Sequence, residues 1–359
     1  MIYLLLIFLF KPFLYALSFV RQPKSGSLVV QSAKIGDYVN TTVMFEALGS
    51  CDVVIDSVNA ELAKNDARIE HIWLLDAYKR SLAGRLALGV DIFFRGYETI
   101  YVATPNNLNL FLAIMGHTKI STFAHYKTGQ TAKLLLKFCD KVGAHTKDDL
   151  TIDTYLKLID DKLDHTTTHK KAIVYKNEPT LELSFDDNIQ KIGVALSAGN
   201  KIKELGDKEW KKLFAILDEY ECEIHVFGVH FEERILERLM DGLELKNARI
   251  VSHLGELHLD FLPLAISKMS LFIASDTAGV YIADSLNIPT IVYAGPCHMK
   301  EQRPLGEKVL IVESNAPCAP FSFIFNAPYH KKCDGLYDTT PAQEEEIKSF
   351  IGSILGQKL

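Results

Sequence analysis

The sequence predicts an α/β protein with two doubly wound domains that face a cleft, preceded by an N-terminal hydrophobic anchor. Three observations support this fold class. The chain has 359 residues, which is more than one hydrophobic core usually organises. Short segments rich in β-branched residues alternate with helical segments, which is typical of βαβ units. A polar stretch divides this alternation into two series.

The first element is the apolar segment Met1–Val20, whose only charge is Lys11. A secretory signal would have basic residues before the apolar stretch and a small-residue cleavage site after it, and this segment has neither. A membrane span would bury Lys11, next to Pro12, at a cost of about 2.5–3.5 kcal/mol. We favour an interfacial anchor of two short pieces hinged at Lys11-Pro12 over a span or a buried core helix. Arg21 and Lys24 predict that the rest of the chain stays cytoplasmic.

Pro23, Ser25 and Gly26 end the anchor and introduce the first series of strands. The candidate strands of this series are short and β-branched: Leu28–Gln31, Asp52–Ile55, His71–Leu75 and Thr99–Ala103. The polar region from Asp148 to Asn188 is interpreted as the interdomain linker.

The second series repeats the alternation after the linker. Its candidate strands are Ile192–Leu196, Glu223–Phe227, Leu271–Ala274, Thr290–Tyr293 and Val309–Val312. Helices are predicted over Lys208–Tyr220 and from Phe231 onward. A final helix begins at the N-cap Thr340, with Pro341 in its first turn and Gln343 completing a capping box. Its apolar face comprises Ile347, Phe350, Ile351 and Ile354.

Composition excludes some broad functions. Hydrophobic residues make up 48% of the chain, and charged residues 23%, which indicates a globular protein. The net charge of −6 argues against a nucleic-acid partner. The six cysteines form no C-x-x-C pair, so neither a zinc site nor a redox motif is indicated. We expect reduced thiols, with disulfides as the alternative.

Several motifs that would identify other enzyme classes are absent. The sequence has no G-x-G-x-x-G or P-loop fingerprint, no D-x-D and no G-x-S-x-G. These absences leave a metal-free reaction without a bound cofactor on two α/β domains.

The first positive signal is the segment from Gln31 to Asp37, directly after the first strand. Gly36 permits a tight turn, and Asp37 then lies at the carboxyl end of the strand, facing the cleft. The alternative is that Asp37 caps the next helix, and the residues alone favour that reading.

Two further loops follow strands of the second series. Ser197, Gly199, Asn200 and Lys203 suit a phosphate or diphosphate, although a solvated loop fits them equally well. Ser275, Asp276, Thr277, Ala278, Gly279 and Tyr281 follow the strand Leu271–Ala274 and open a helix reaching about Leu286. The unpaired backbone N–H groups at the start of such a helix can bind an anion.

Together these loops resemble glycosyltransferase family 9, the heptosyltransferases of lipopolysaccharide core assembly. The resemblance is carried by LVVQSAKIGDYVNTT and by SDTAGVYIADSLNIPTIVYAGP, and it extends from about Leu28 to Leu355. It implies a GT-B fold with two Rossmann-like domains and an inverting transfer from a nucleotide-diphosphate sugar, ADP-heptose in the best-known members. The implied boundaries are 1–24 for the anchor, 25–175 for the acceptor domain, 176–340 for the nucleotide-sugar domain, and 341–359 for a helix returning to the N-terminal domain.

The resemblance also implies roles for individual residues. Asp37 matches the proposed general base, and Lys203 matches the lysine that neutralises the departing diphosphate. Asp276 and Thr277 match the loop that binds the donor's phosphates and sugar, and Glu232 lies near a glutamate that contacts the nucleoside. No metal or cofactor is implied.

Four departures from the family pattern affect the donor's identity. Ala278 intervenes before Gly279, Tyr281 replaces a common histidine, Gln31 takes the place of an arginine, and a late C-x-x-C is reduced to Cys318 with Phe321. They motivate an alternative, a catalytically silent relative serving as a membrane-bound binding or assembly component. An epimerase binding a nucleotide sugar is a third reading, against which the missing glycine fingerprint speaks.

The expected partners follow from the resemblance and the anchor. They are a nucleotide-sugar donor such as ADP-heptose, a lipid-linked glycan acceptor, and the membrane surface through residues 1–20. The expected location is the cytoplasmic face of the bacterial inner membrane.

Overall fold

A computed structural model describes residues 1–21, 26–177, 179–180, 183, 185–186, 188–328 and 331–356. Within it the chain forms two compact units, Met1–Asn177 and Glu178–Leu359. The expected break at Pro23 and Ser25, Lys24, and part of the expected linker lie outside the described residues.

The first unit is built on a parallel sheet of six strands. These strands are β1 (Ser27–Gln31), β2 (Cys51–Ile55), β3 (Ile69–Leu74), β4 (Thr99–Val102), β5 (Lys119–His125) and β6 (Lys141–His145). Their order in the sheet is β3-β2-β1-β4-β5-β6. The helices are α1 (Ile2–Ser18), α2 (Ile35–Leu48), α3 (Ala60–Lys64), α4 (Leu75–Tyr78), α5 (Leu82–Arg95), α6 (Asn107–Met115), α7 (Gln130–Leu136) and α8 (Thr151–Ile159), with a 3₁₀ turn at Ser57–Asn59.

The second unit repeats this topology. Its strands are β7 (Gln190–Ala195), β8 (Cys222–Gly228), β9 (Ala248–Leu254), β10 (Leu271–Ser275), β11 (Thr290–Tyr293) and β12 (Val309–Val312), ordered β12-β11-β10-β7-β8-β9. Its helices are α9 (Asp207–Leu217), α10 (Glu233–Met240), α11 (Leu262–Ile266), α12 (Ala278–Ser285) and α13 (Pro341–Leu355), with 3₁₀ turns at Lys201–Lys203 and His230–Glu232. In each unit the order reverses between the first and fourth strands, the place where doubly wound folds bind ligands.

The N-terminal segment is one continuous helix that packs on the first unit. Leu6, Ile7 and Leu14 are buried in that unit's core, and the Tyr3 ring stacks on Phe111 with centroids 4.8 Å apart. The prediction of two short pieces hinged at Lys11-Pro12 was wrong, because the helix continues through Pro12 to Ser18. No helix within the described ranges is both long and apolar enough to cross a membrane.

The expected linker began too early. Helix α8 lies within it, packs on α2, and buries Tyr155 and Leu156. The following segment also belongs to the first unit, since the Val174 carbonyl accepts a hydrogen bond from Ala67 N–H at 2.7 Å. Polar composition indicated a linker here, but polar residues of α8 are themselves part of the packed unit, since Thr151 and Thr154 are buried.

The C-terminal helix has the expected capping box. The Thr340 hydroxyl accepts a hydrogen bond from Gln343 N–H at 3.2 Å, and the Gln343 side chain accepts one from Thr340 N–H at 3.0 Å. Ile347, Ile351 and Leu355 are buried in the core of the second unit, together with Trp210. The apolar side of α13 therefore completes the second unit.

Candidate active site

Asp37 lies in the first turn of α2, directly beyond the carboxyl end of β1. It is not the helix cap, because the N-cap residue is Lys34. Gly36 precedes it in the same turn, and both residues are half-buried. The Asp37 carbonyl accepts a hydrogen bond from the Thr41 hydroxyl at 2.8 Å, one turn further along the helix. The carboxylate of Asp37 is thus carried on a fixed helical backbone at the switch point of the first sheet.

A network of uncharged side chains holds the turn that precedes Asp37. Gln31 is fully buried; its Nε2 donates to the Thr41 hydroxyl at 2.7 Å, and its Oε1 accepts from Ala33 N–H at 2.8 Å and from the Thr104 hydroxyl. Asn109 Nδ2 donates to Ser32 Oγ at 2.8 Å and to the Thr104 carbonyl at 2.7 Å. Sequence reasoning missed Thr104 and Asn109, which come from the loop and helix after β4.

Lys203 lies in the second unit, at the end of the 3₁₀ turn that follows β7. The Asn200 side chain caps this turn by accepting from Ile202 N–H at 3.2 Å. The ammonium of Lys203 donates to Asp276 Oδ2 at 2.6 Å. Since β7 and β10 are adjacent parallel strands, the sheet brings together two predicted residues that are 73 positions apart.

Asp276 accepts hydrogen bonds from three side chains. Besides Lys203, the Tyr281 hydroxyl donates to its Oδ1, and Cys297 Sγ donates to its Oδ2 at 3.1 Å. Burial alone would raise the pKa of Asp276, but the Lys203 ammonium and these hydrogen bonds outweigh it and hold the pKa below its ordinary value. The carboxylate therefore remains ionised and paired at neutral pH.

Cys297 is the member of this cluster that sequence reasoning missed. It follows the Gly295-Pro296 turn after β11, the strand next to β10, so its thiol reaches the end of β10. Gly295 has a φ of +51°, and a Cβ there would collide with the Tyr337 ring. Only glycine fits this turn without strain. A single cysteine after a turn carries no sequence pattern that would reveal its role.

Thr277, Ala278 and Gly279 form the start of α12. Thr277 is its N-cap residue, and Ala278 is the first helical residue. A Cβ on Gly279 would lie 2.6 Å from Cζ of the buried Phe272 ring. This glycine lets the helix approach β10, whereas sequence analysis assigned it to phosphate binding. By contrast, a Cβ on Gly199 would meet nothing within 4 Å.

Glu232 and Ser197 are brought together at the ends of β7 and β8. Burial raises the pKa of the Glu232 carboxyl, and hydrogen bonds from Ser197 and Val229 oppose that shift. Glu232 is buried, and its Oε1 accepts from Val229 N–H at 3.3 Å. These two residues lie on the opposite side of β7 from β10, the strand that carries Asp276.

Among the described residues, several buried polar atoms near this end of the second sheet have no hydrogen-bonding partner. They include Nδ2 of Asn200 and the hydroxyl of Tyr337. Buried polar groups are normally satisfied, so these two atoms indicate a place for a polar ligand.

Cys318 and Cys333 form a disulfide, so the expectation of six reduced thiols was wrong for this pair. Their Cα atoms lie 6.3 Å apart, within the usual range for a disulfide. Both cysteines pack against Ala316, Phe321 and Leu336. Ile202 packs on the same cluster, so the bridged loop supports the turn that carries Lys203.

No group of three or more His, Cys, Asp or Glu side chains with metal-binding potential occurs in the part of the chain that the structure describes.

Known proteins resemble this chain both in sequence profile and in fold. The profile of glycosyltransferase family 9 (heptosyltransferase) matches residues 110–323. A glycosyl transferase family 9 structure from Veillonella parvula DSM 2008 is 16% identical, with a TM-score of 0.72 over 93% of this chain and 99% of that chain. The E. coli ADP-heptose lps heptosyltransferase II is 15% identical, with a TM-score of 0.66 over 92% of this chain and 98% of that chain. The E. coli heptosyltransferase WaaC with ADP is 16% identical, with a TM-score of 0.66 over 92% and 99%. No curated protein sequence matches the chain. These likenesses confirm the predicted GT-B fold class.

Proposed function

We propose a specific reaction from the premise that this chain belongs to glycosyltransferase family 9, the heptosyltransferase family. The reaction is an inverting, metal-independent transfer of a sugar from a nucleotide-diphosphate sugar to a lipid-linked glycan in lipopolysaccharide or lipooligosaccharide synthesis. Heptose carried by ADP is the first donor to test, because one structural relative is an ADP-heptose lps heptosyltransferase. The Lys203–Asp276 ion pair beside the start of α12 carries the proposal.

Asp37 is the proposed general base of the reaction. Its carboxylate takes the proton from the acceptor hydroxyl while that oxygen attacks the anomeric carbon of the donor sugar. A bond forms between the acceptor oxygen and the anomeric carbon as the bond from that carbon to the diphosphate oxygen breaks. Attack from the face opposite the diphosphate inverts the anomeric centre.

The second unit stabilises the leaving group in this proposal. When the bond breaks, its electron pair stays on the diphosphate. The Lys203 ammonium offsets the negative charge that the diphosphate gains. The positive end of the α12 dipole, reached through Thr277, Ala278 and Gly279, acts in the same direction. A fixed ammonium and oriented backbone N–H groups supply electrostatic stabilisation without a metal ion.

Donor binding tests this assignment most directly. We expect ADP-heptose to raise the melting temperature of the purified protein more than UDP-, GDP- or CMP-sugars do. Lys203→Ala should reduce that rise strongly, because it removes the cation nearest to Asp276. Lys201→Ala is the matched control, since its side chain is exposed in the same turn and has no role in the proposed site. If none of the nucleotide sugars raised the melting temperature, the result would favour the alternative that the protein is a catalytically silent relative.

We further propose that α1 places the protein at the cytoplasmic face of the bacterial inner membrane, close to its acceptor. The outer face of this helix exposes large apolar side chains: Ile2, Leu5, Phe8, Leu9, Phe13 and Tyr15. Such a run of exposed apolar residues on one helix is typical of a contact surface.

Basic residues border this apolar face. Lys11 is exposed on α1, and its ammonium lies 4.7 Å from the centre of the Phe138 ring. Lys133 and Lys137 are exposed on and just after the neighbouring helix α7, where Leu134 is also exposed. Apolar side chains surrounded by lysines suit an anionic phospholipid surface, to which amphipathic helices bind in the interface plane.

Vesicle co-sedimentation tests the membrane proposal. We expect the full chain to bind vesicles that contain phosphatidylglycerol, and to bind phosphatidylcholine vesicles less well. Replacing both Leu5 and Leu9 with Glu should weaken binding at least about tenfold, because each buried leucine contributes roughly 1.5–3 kcal/mol. Val142→Glu is the matched control, since Val142 is an exposed apolar residue on β6 of the same unit. Equal binding by the double variant and the wild type would exclude α1 as the contact.

A further inference from the structure

Tyr281 and Cys297 are two buried neutral donors to the Asp276 carboxylate: Tyr281 donates to Oδ1, and Cys297 donates to Oδ2, the oxygen that also accepts from Lys203. The residues Tyr281 and Cys297 are 2% and 9% exposed, whereas the side chain of Lys203 is 24% exposed. The ammonium is therefore the most accessible of the three donors to Asp276, and the two neutral donors are buried.

The helix geometry explains why Tyr281 reaches Asp276. Tyr281 lies in the first full turn of α12, and helical side chains point back toward the N-terminus. Its hydroxyl therefore reaches Asp276, the residue that precedes the N-cap Thr277. Cys297 comes from a different strand end, and its backbone N–H is fixed by a hydrogen bond to the Ala294 carbonyl at 2.9 Å.

We propose that Tyr281 and Cys297 are positioning residues for the donor's diphosphate, which keep Asp276 ionised and oriented so that it holds Lys203 in place. This inference rests on the proposed function. It adds that the diphosphate is bound by a lysine whose position depends on two buried neutral donors, neither of which touches the ligand.

Among the described residues, the titratable groups that act on Asp276 include Lys203 in the 3₁₀ turn, Tyr281 on α12 and Cys297 after β11. The charges of Asp276 and Glu204 in turn act on Tyr337. Lys203 is the cation of this set. Burial, followed by the charge of Asp276, holds the pKa of both Tyr281 and Cys297 well above their ordinary values, so both remain protonated donors.

Removal of one donor has a defined consequence. Tyr281→Phe preserves the ring and deletes only the hydroxyl, so one buried carboxylate oxygen loses its partner. The folded-state pKa of Asp276 then rises, and the aspartate protonates at a higher pH than in the wild type. Protonation of Asp276 removes its charge and so its ion pair with Lys203, which is then held less firmly at the phosphate-binding position.

The first experiment measures ADP binding by calorimetry between pH 5 and pH 8. We expect Tyr281→Phe to weaken ADP binding roughly tenfold, as for a lost hydrogen bond to a charged group, with a larger loss at the acidic end. Cys297→Ala should act in the same direction, and Cys297→Ser, which keeps a donor, should restore most of the affinity. In steady-state transfer, the KM for the donor should rise while the KM for the acceptor stays constant. An ADP affinity within twofold of wild type for Tyr281→Phe at every pH would overturn the proposal.

A second measurement needs no ligand and separates this inference from the proposed function. The free energy of unfolding is measured against pH for the wild type, Tyr281→Phe, Asp276→Asn and the double variant. A folded pKa below the unfolded value of about 3.9 contributes stability that is lost as pH falls through the folded pKa. Tyr281→Phe should move this loss of stability to a higher pH. In the Asp276→Asn background, which has no titrating carboxyl at this position, Tyr281→Phe should cause no such shift.

The two experiments have distinct failures. If the wild type binds neither ADP nor any of the nucleotide sugars tested but the unfolding cycle shows the coupling, the proposed function fails and the pairing of Tyr281 with Asp276 stands. If ADP binds, but Tyr281→Phe changes neither the pH dependence of unfolding nor that of ADP binding, the positioning role of Tyr281 is wrong. The proposed transferase function would then be unaffected.

Discussion

The two units share one topology but build different chemistry at the same place in it. Each has the strand order that reverses between its first and fourth strands, and each puts a loop there. In the first unit an uncharged network around Gln31 holds the turn before Asp37. In the second unit an ion pair between Lys203 and Asp276 occupies the corresponding position.

This difference matches what each unit has to bind in the proposed reaction. In the first unit a buried, uncharged network fixes the turn, so that the single carboxylate of Asp37 can remove one proton from an acceptor hydroxyl. A diphosphate needs a fixed cation, and Lys203 remains fixed only while Asp276 is ionised. The two units therefore have the same topology but sites of different charge. The function of each site follows from its side chains and not from the fold.

The largest expected effect separates the role of the first unit from that of the second. Asp37→Asn should lower the rate of sugar transfer about 10²–10⁴-fold, because it removes the general base while preserving shape. Stabilisation by ADP-heptose should be unchanged in a thermal-shift assay, in contrast to Lys203→Ala. Asp91→Asn, an exposed position on α5, is the control. If the Asp37→Asn variant transferred sugar at the wild-type rate, a different residue would be the general base, and the proposed difference between the two units would be wrong.

The next prediction concerns a buried histidine pair that belongs to the second unit. His225 Nδ1 lies 2.8 Å from His253 Nε2, and His225 Nε2 lies 3.0 Å from a Glu223 carboxylate oxygen. Arg249 pairs with the other oxygen of Glu223. Burial, followed by the charge of His253, lowers the pKa of His225 to about 4 even though Glu223 opposes the shift.

The sign of the resulting pH dependence follows from proton binding. An unfolded histidine takes up a proton as pH falls below about 6.5, whereas folded His225 stays neutral until about pH 4. The unfolded state binds more protons in this window, so the second unit should lose stability as pH falls, by on the order of 2–3 kcal/mol. His225→Gln should flatten this loss, and His230→Gln, whose side chain is 83% exposed, should not.

The two tryptophans allow each unit to be followed separately. Trp73 lies on β3 of the first unit, and Trp210 lies on α9 of the second. In a Trp73→Phe background, fluorescence reports the second unit, and its unfolding midpoint in urea should fall between pH 7 and pH 5. If the Trp210 signal were no more acid-sensitive than the Trp73 signal, the histidine pair would not control the stability of its unit.

Much of the fold could be predicted because buried parallel strands are short apolar runs. Thr290–Tyr293 and Val309–Val312 were predicted with their observed bounds, and all four residues of the first are buried. β6 and β9 were missed because exposed and half-buried residues interrupt their apolar pattern: β6 alternates half-buried and exposed residues, and β9 contains the exposed Arg249 and Ser252. β5 was missed because Ser121 and Thr122 are buried polar residues that hydrogen-bond to backbone carbonyls.

The site was predictable as separate motifs but not as a cluster. The sequence singled out Lys203 and Asp276 individually, and only the adjacency of β7 and β10 brings them to 2.6 Å. Cysteine spacing does not encode pairing, so neither the thiol of Cys297 beside Asp276 nor the Cys318–Cys333 disulfide could be deduced. Gly279 shows a role that the motif did not indicate: this glycine also allows α12 to pack closely on β10.

The smallest expected effect distinguishes two glycines that looked equivalent in sequence. Gly279→Ala should destabilise the second unit by about 1–3 kcal/mol, because its Cβ would lie 2.6 Å from the buried Phe272 ring. Gly199→Ala should change stability by less than about 0.5 kcal/mol, because a Cβ there meets nothing within 4 Å. Urea unfolding followed through Trp210 measures both. If Gly199→Ala nevertheless abolished ADP binding, that glycine would be required by a ligand that approaches its backbone. Comparable losses of stability in the two variants would instead contradict the assignment of Gly279 to helix packing.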